Sequence, residues 1–290
     1  SRVALFQIIY LLIVVLWGAY VRASGSGAGC GSHWPLCNGV VVPRDPAWAT
    51  IVELGHRLTS GLSLLLCLYV VYLAKSNRRA LQASLATLLF LLLEAAIGAA
   101  LVLFEHVGKN ESFYRVISVS LHLVNTFLLL GAALYCYVVA NPQVGKFRLP
   151  AANKLTWLIF GLFLLLITAV SGAVTALGDT LFPVLGVGEA LSASMQLGAN
   201  FLQKTRIYHP FLALASSCYL LVLAIFLQRL PSLKSWASGL FSVILVQILV
   251  GFLNIHLLAP IWLQIFHLLC AQILWLLLLR VCYLLSYESA

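Results

Sequence analysis

The chain has 290 residues, of which 62% are hydrophobic and only 9% are charged. Soluble domains carry about a quarter charged residues, so this composition excludes an ordinary soluble fold. The formal net charge of +9 reflects basic residues gathered in a few short connections, which is typical of membrane topology, and no nucleic-acid partner is expected.

Eight apolar runs follow one another along the chain, each long enough to cross a bilayer core of about 30 Å as a helix. They span about 3–21, 51–74, 80–104, 115–140, 153–175, 207–230, 235–254 and 258–285. These runs predict an all-α polytopic membrane protein with eight transmembrane helices and no separate soluble domain.

The basic residues predict how the helices are oriented. With a cytoplasmic N-terminus, the inner connections carry ten basic residues against a single acid, Glu288. The ten are Arg2, Lys75, Arg78, Arg79, Lys146, Arg148, Lys154, Arg229, Lys234 and Arg280. Because these connections are short, the positive-inside rule applies to them. We therefore predict a multi-pass protein of the plasma (inner) membrane with both termini cytoplasmic.

The first predicted outer loop contains two of the seven cysteines, in the stretch Cys30-Gly-Ser-His-Trp-Pro-Leu-Cys37. In an oxidising outer compartment two cysteines this close can form a disulfide. The spacing favours a structural staple on a long loop. A redox role would need an accessible, fairly reducible pair, which spacing does not show. The other cysteines are predicted to be small apolar core residues of helices: Cys67, Cys136, Cys218, Cys270 and Cys282.

The chain has the pattern of two copies of a four-helix unit. Four landmarks recur at offsets of 145 to 154 residues: Gly18 with Gly172, His56 with His209, Glu94-Ala-Ala-Ile-Gly98 with Gln247-Ile-Leu-Val-Gly251, and His122 with His267. An even number of helices per copy gives both copies the same orientation, so the copies are parallel repeats. We predict an N-terminal half over 1–140, a cytoplasmic linker over 141–152 and a C-terminal half over 153–290.

Four histidines, His56, His122, His209 and His267, lie near the outer ends of predicted helices. Ionisable groups in apolar helices are costly and usually mark functional sites. Imidazole binds haem iron, and facing helices of a bundle present axial ligands from opposite sides. The two-by-two pattern favours two haem sites over histidines that only hydrogen-bond to a neighbouring helix. Zinc is disfavoured, because the second half lacks nearby Cys, His or carboxylate ligands to complete a tetrahedral set. A proton relay is disfavoured, because the predicted helices contain too few carboxylates to form a chain.

Charged residues beside these histidines each allow two interpretations. Glu53 lies one turn before the histidine of the second helix and shares its face. It suits a carboxylate favoured by the helix dipole or one acting beside a haem edge. Arg57, Lys204 and Arg206 suit haem propionates or snorkelling to lipid headgroups. Arg206 occupies the position that matches Glu53, and Glu94 is expected to face the bundle interior without an assigned role.

Two short motifs carry a family resemblance. The loop Gly-Cys-Gly-Ser-His-Trp-Pro-Leu-Cys-Asn-Gly at 29–39 and the helix start Glu-Leu-Gly-His-Arg at 53–57 resemble those of the haem A synthases. The resemblance continues through the other three histidines and covers essentially the whole chain. It implies an oxidoreductase that converts the C8 methyl of haem O to a formyl group by successive hydroxylation, giving the haem A of terminal oxidases.

The resemblance also implies a role for each histidine pair. His56 and His122 would bracket the substrate haem with Glu53 assisting catalysis, while His209 and His267 would ligate haem b. The cysteine pair resembles that of some family members and is absent from others. Haem sites towards the extracytoplasmic side, surrounding membrane lipid, delivery of haem O by a haem O synthase and an unidentified electron acceptor are further expectations. A homo-oligomer is compatible with the sequence.

Other functions stay open at this level. A bis-histidine, cytochrome b-like electron carrier would hold two equivalent permanent haems. A transporter would share the parallel repeats but usually has broken helices near the membrane midplane. The prenyltransferase that makes haem O is disfavoured, because its chemistry uses aspartate-rich magnesium sites. This chain has only Asp45 and Asp179, both predicted in outer loops.

Overall fold

The structure is a computed structural model. It describes residues 2–141, 144–147 and 150–289, without the side chains of residues 146, 153, 288 and 289. The α-helices within these residues are α1 (Arg2–Ala23), α2 (Trp48–Leu73), α3 (Arg78–Leu103), α4 (Phe113–Val139), α5 (Ala152–Leu181), α6 (Val187–Met195), α7 (Phe201–Gln228), α8 (Lys234–His256) and α9 (Ile261–Ser286). Two short strands, β1 (Val144–Phe147) and β2 (Tyr287–Ser289), pair antiparallel.

Eight of these helices are long and apolar enough to cross a membrane. This confirms the predicted all-α polytopic membrane fold. Large apolar side chains such as Phe6, Leu65 and Phe211 are exposed on the helix surfaces, while Leu177, Leu240 and other apolar residues fill the interior. An exposed surface of this kind is solvated by lipid tails rather than by water.

The prediction is wrong at the end of the fifth run and the beginning of the sixth. α5 continues to Leu181 rather than ending near 175, and α7 begins at Phe201 rather than near 207. Asn200 caps α7 in a reciprocal capping box with Gln203, so polar residues extend the helix beyond its apolar run. The predicted loop 176–206 is therefore largely helical, since α6 also lies within it. Asp179 belongs to α5 and not to a loop.

The chain divides into two compact units, Ser1–Cys136 (unit 1) and Tyr137–Ala290 (unit 2). In unit 1, α1 packs on α2 and α2 on α3, and α3 is hydrogen-bonded to α4 through Asn125. In unit 2, α5, α7, α8 and α9 pack in that order, and α9 returns to α5, which closes a ring of four helices. Arg148, one of the predicted inner basic residues, and positions 142, 143 and 149 of the predicted linker lie outside the described residues.

The free cysteines divide differently from the prediction. Cys67, Cys136 and Cys270 are buried, as expected for small core residues. Cys282 is half-buried, and Cys218 is exposed on the surface of α7. The core assignment of Cys218 was wrong, because an apolar residue of a membrane helix can equally face lipid.

Candidate functional site

Each of the four histidines that recur in the repeat lies against a glycine of a neighbouring helix. The pairs, with the distance at which a Cβ on the glycine would meet the imidazole Cε1, are Gly18–His56 (3.0 Å), Gly98–His122 (3.6 Å), Gly172–His209 (2.9 Å) and Gly251–His267 (3.2 Å). Glycine lacks that Cβ, so each ring can lie directly against the helix backbone. The glycines that mark the repeat in the sequence are thus the surfaces that seat the histidines.

The two histidines of each unit are neighbours. His56 of α2 lies close enough to His122 of α4 for their charges to interact. His209 of α7 and His267 of α9 interact in the same way. All four rings are half-buried. Two imidazoles that approach from different helices of one bundle form the arrangement that presents axial ligands to a haem iron.

The histidines of unit 2 are hydrogen-bonded by neutral side chains. Ser171 Oγ lies 2.9 Å from Nδ1 of His209, which leaves Nε2 without a hydrogen-bond partner among the described residues. Gln247 Nε2 lies 3.3 Å from Nε2 of His267. Such second contacts fix the orientation of an imidazole that ligates a metal.

In unit 1 the residue that matches Gln247 is a carboxylate, and it contacts the other ring nitrogen of its histidine. Glu94 Oε1 lies 3.3 Å from Nδ1 of His122. The carboxylate also accepts hydrogen bonds of 2.5 Å from Asn125 Nδ2 and 2.5 Å from Thr126 Oγ1. Glu94 therefore faces the bundle interior as expected and has the neighbour that sequence reasoning missed. The sequence signal for this contact was that Glu94 occupies the position that matches Gln247 in the repeat.

Unpaired nitrogen atoms at these sites fit a bound haem. Nδ1 of His56 and Nδ1 of His267 are buried without a hydrogen-bond partner in the described part of the chain, and Nδ1 of His122 has only the contact to Glu94. Buried polar atoms without partners are costly unless a ligand takes part in the site. The donor set, the glycine seats and the unpaired imidazoles together fit one haem at each histidine pair.

Glu53 is almost fully buried, with 3% of its surface exposed. Its Oε1 accepts a 2.5 Å bond from Arg57 Nη2 one turn further along α2. Its Oε2 accepts a 2.9 Å bond from the backbone N–H of Cys30. The carboxylate thus fastens the cysteine loop to the turn of α2 that carries His56.

Arg57 completes this attachment. Its Nη1 donates to the carbonyl oxygens of His33 and Leu36, both at 2.8 Å. Cys30 and Cys37 form a disulfide within the same loop, which confirms the predicted pairing. In this structure Arg57 therefore binds the loop backbone, and its predicted contact with a haem propionate stays a prediction.

Arg206, at the position in α7 that matches Glu53, also fastens a preceding segment. Its Nε donates to Asp179 Oδ1 at 2.5 Å, and its Nη2 donates to the carbonyl oxygens of Gly178 and Phe182. Its Nη1 is buried and has no partner among the described residues. Lys204 lies half-buried in the same turn. Nη1 is thus the one guanidinium nitrogen of Arg206 that the described residues leave unpaired.

The remaining histidines stay apart from the two pairs. His106 Nδ1 lies 2.9 Å from Ser118 Oγ, and its ring stacks on Tyr114. His256 stacks on Phe252. His33 is exposed in the cysteine loop.

The proteins that this chain resembles have names connected with haem or cytochrome oxidase, in agreement with the geometry of the histidine pairs. Residues 1–279 match the family model described as cytochrome oxidase assembly protein, COX15-CtaA. A relative from Thermus thermophilus named protoheme IX farnesyltransferase is 42% identical over 279 residues, which are 93% of this chain and 46% of that protein.

Relatives named heme A synthase, from Bacillus cereus and Bacillus anthracis, are 37% identical over 158 residues. The match covers 44% of this chain and 51% of theirs. The chain thus spans about half the length of the curated relatives it matches. Because the family model matches almost all of it, the chain belongs to the COX15-CtaA family of cytochrome oxidase assembly proteins.

Proposed function

We propose that this protein is a haem A synthase, which oxidises the C8 methyl of haem O to a formyl group. The observation that carries the proposal is the pair of neighbouring histidines, each seated on a glycine, in both compact units. A second, non-equivalent site is what an enzyme needs when one haem is transformed and another is kept. We place both sites towards the extracytoplasmic side of the plasma membrane, on the basis of the charge distribution.

The name farnesyltransferase is a weaker guide to this chain. It belongs to a protein of which the match covers 46%. Transfer of a prenyl diphosphate uses carboxylates that hold magnesium on the phosphates. The two aspartates of this chain do not form such a site, because Asp45 is exposed in the cysteine loop region and Asp179 is paired with Arg206.

In unit 1 we assign the substrate haem to His56 and His122. Glu94 fixes the His122 ring through its contact at Nδ1, and Gly18 gives the His56 ring room against α1. Glu53 is the group we assign to proton transfer, one turn before His56. Its two present partners hold the carboxylate in place, and displacement of either one frees an oxygen to accept a proton from water.

In unit 2 we assign haem b to His209 and His267. Haem b supplies one-electron redox chemistry when it is bound. Ser171 and Gln247 keep the two rings oriented, and the free Nη1 of Arg206 suits a propionate. Lys204 adds a second positive charge in the same turn of α7.

The proposed reaction defines its partners. The methyl group passes through a hydroxymethyl stage, and the hydroxymethyl group is then oxidised to the aldehyde. With water as the oxygen donor, each stage releases two electrons and two protons, so an electron acceptor is required. Haem O must be delivered by a haem O synthase, and the haem A product is passed on to a terminal oxidase.

Pigment extraction from the purified full chain tests the proposal against a cytochrome b-like carrier. The enzyme should release haem b together with haem O or haem A, whereas a carrier with two permanent haems releases haem b alone. A purified protein without any haem would contradict both functions and favour a transporter.

Variants then test the individual roles. His209→Ala and His267→Ala should each lose haem b from the optical spectrum. Glu53→Ala should retain haem but stop conversion of haem O. Glu53→Gln separates charge from shape, because the amide oxygen can still accept the Cys30 N–H. Normal conversion by both Glu53 variants would show that the assignment of this residue is wrong.

A further inference from the structure

Arg115 is a buried arginine in the first turn of α4, with 4% of its surface exposed. Its Nη1 donates to the carbonyl oxygens of Gly108 and Asn110 at 2.7 and 2.8 Å. Nε is buried without a partner among the described residues, and none of them accepts a hydrogen bond from Nη2. Arg115 also belongs to no ion pair in the described part of the chain. Because a buried charge without a counter-charge is costly, these contacts point to an anionic ligand.

The two unpaired nitrogens form one edge of the guanidinium group. The loop carbonyls occupy Nη1 alone, whereas Nε–H and the adjacent Nη2–H lie side by side in the planar group. Such an edge matches the two oxygens of a carboxylate, and bidentate pairs of this kind are among the strong charge-assisted hydrogen bonds. Attachment of the loop therefore explains Nη1 and leaves an edge suited to a carboxylate.

Helical periodicity places Arg115 on the same face of α4 as His122. The two residues are seven positions apart, which is two turns and about 10 Å along the helix. Thr126 lies one turn further on the same face, is buried, and donates to Glu94. The stripe that carries His122 thus faces the interior of unit 1, and Arg115 lies on it nearer to the beginning of the helix.

Arg115 lies at the end of unit 1 that carries Glu53. The loop that it holds packs against the turn before the first cysteine, since a Cβ on Gly108 would lie 3.6 Å from the Cβ of Ala28. Two residues later the backbone N–H of Cys30 donates to Glu53. The arginine, the cysteine loop and the carboxylate proposed for proton transfer therefore belong to one end of the bundle.

The repeat shows that the four-helix architecture does not require this arginine. The position in unit 2 that matches Arg115 is Pro260, directly before α9. Arg206 is the other arginine of the described residues that has a buried, unpaired guanidinium nitrogen. Each unit thus has one such arginine near its histidine pair, on different helices of the repeat.

We propose that Arg115 binds a propionate carboxylate of the substrate haem through the edge formed by Nε and Nη2. The inference rests on the proposed function, which assigns that haem to His56 and His122. The C8 methyl and one propionate are substituents of the same pyrrole ring. A contact at that propionate fixes the rotation of the haem about the axis through its iron, and so decides which methyl group faces the reactive end of unit 1. Arg115 is therefore a binding residue that selects the position of oxidation.

Haem with esterified propionates provides the test, because it keeps the ring and the iron but has no carboxylate. The full chain carrying His209→Ala and His267→Ala, which leaves the histidine pair of unit 1, is titrated in detergent with haem O or with haem O dimethyl ester. Binding is followed by the Soret absorbance. We expect the ester to bind about thirtyfold more weakly, the loss typical of a hydrogen bond between charged groups. Equal affinities would overturn the role of Arg115 and leave the proposed function standing, whereas absence of binding by either compound would overturn both.

Arg115→Gln in the same background separates binding of the propionate from attachment of the loop. It should weaken haem O by about thirtyfold and leave the affinity for the ester unchanged, because only the carboxylate loses its partner. Equal weakening of both compounds would show a structural role, and a preference for haem O that persists in this variant would assign it to another cation. Either result would overturn the proposal. Arg44→Gln removes an exposed arginine that precedes α2 and should change neither affinity, so a loss of the preference there would assign it to general surface charge and also overturn the proposal.

Discussion

The two units use one matched helix position with opposite charges. In unit 1 Glu53 accepts bonds from the Cys30 N–H and from Arg57. In unit 2 Arg206 donates to Asp179 and to backbone carbonyl oxygens at the end of α5. Both side chains fasten the segment that precedes the first histidine helix. The attachment point is therefore common to both units. The charge of the side chain is reversed between them, and its partners change from donors to acceptors.

The backbone around this position is preserved as well. A Cβ on Gly29 would lie 2.4 Å from the carbonyl oxygen of Ala49, and one on Gly178 would lie 2.5 Å from that of Leu202. Ala49 and Leu202 are 153 residues apart, the offset that also relates His56 to His209. A close contact of backbone with backbone thus recurs in both units. Different side chains can therefore fasten the preceding segment at this contact.

The contacts of the histidines differ between the units in a way that fits the proposed roles, a substrate haem in unit 1 and a permanent haem in unit 2. Ser171 and Gln247 hold the two rings of unit 2 with neutral hydrogen bonds, as expected for a cofactor that stays bound. In unit 1 the carboxylate of Glu94 contacts His122, while Nδ1 of His56 is unpaired. A less constrained pair is compatible with a substrate that must enter and leave.

The largest effect is expected from Arg206→Ala. Removal of the guanidinium leaves Asp179 and two carbonyl oxygens without this donor, so unfolding free energy should fall by about 3 kcal/mol. Thermal unfolding in detergent would measure the loss, with the neighbouring Lys204→Ala as a control that changes stability by less than about 0.5 kcal/mol. Equal losses in the two variants would contradict the attachment role of Arg206.

A glycine series ranks the four histidine seats. Gly172→Ala, Gly18→Ala and Gly251→Ala place a Cβ 2.9, 3.0 and 3.2 Å from the imidazole, whereas Gly98→Ala places it at an ordinary 3.6 Å. Overpacking of this kind costs about 1–3 kcal/mol. Haem retained per protein, read from the Soret absorbance, should fall most for Gly172→Ala and hardly change for Gly98→Ala. Loss that does not follow this order would show that the glycines do not control ring position.

Sequence patterns predicted the features that depend on periodicity, which are the transmembrane helices and the repeated landmarks. Apolar runs located eight transmembrane helices, because a helix must span a bilayer of fixed thickness. The repeat located the histidine pairs, because landmarks that recur at offsets of 145 to 154 residues occupy matched places. The capping box of Asn200 and Gln203 was also readable, and it marks the beginning of α7 that the apolar run missed.

The sequence did not predict contacts between a side chain and a distant part of the backbone. Arg57 binds carbonyl oxygens of a loop more than twenty positions earlier, a contact that neither of its two predicted roles included. Glu53 shows the same limit, because its partner at Cys30 is a backbone N–H that every residue type except proline carries. The contact of Glu94 with His122 joins different helices, and no spacing rule within one helix reports it.

An exchange between the units tests the contrast of carboxylate and amide. Gln247→Glu places a carboxylate beside His267, which raises the electron donation of that imidazole to iron. The midpoint potential of the proposed haem of unit 2 should fall by about 60 mV, equivalent to tenfold in a one-electron equilibrium. Redox titration followed by optical spectroscopy measures the shift. Glu94→Gln is the reciprocal variant and should leave that potential unchanged, since it alters unit 1 alone. A potential that is the same in wild type and Gln247→Glu would contradict the proposed influence of the second contact.

The smallest effect is expected from Ser171→Ala. The hydroxyl lies 2.9 Å from Nδ1 of His209, and its loss removes one neutral hydrogen bond worth about 1 kcal/mol. Affinity for haem in unit 2 should therefore weaken by about fivefold, measured by haem titration of the apoprotein. Thr168→Ala is a matched control, because it removes a hydroxyl one turn earlier on α5 that bonds to Ser216 rather than to a histidine. If Thr168→Ala weakened binding as much as Ser171→Ala, the loss would come from the packing of α5 on α7. A loss confined to Ser171→Ala would instead show that the hydroxyl holds His209 in the orientation that a permanent ligand requires.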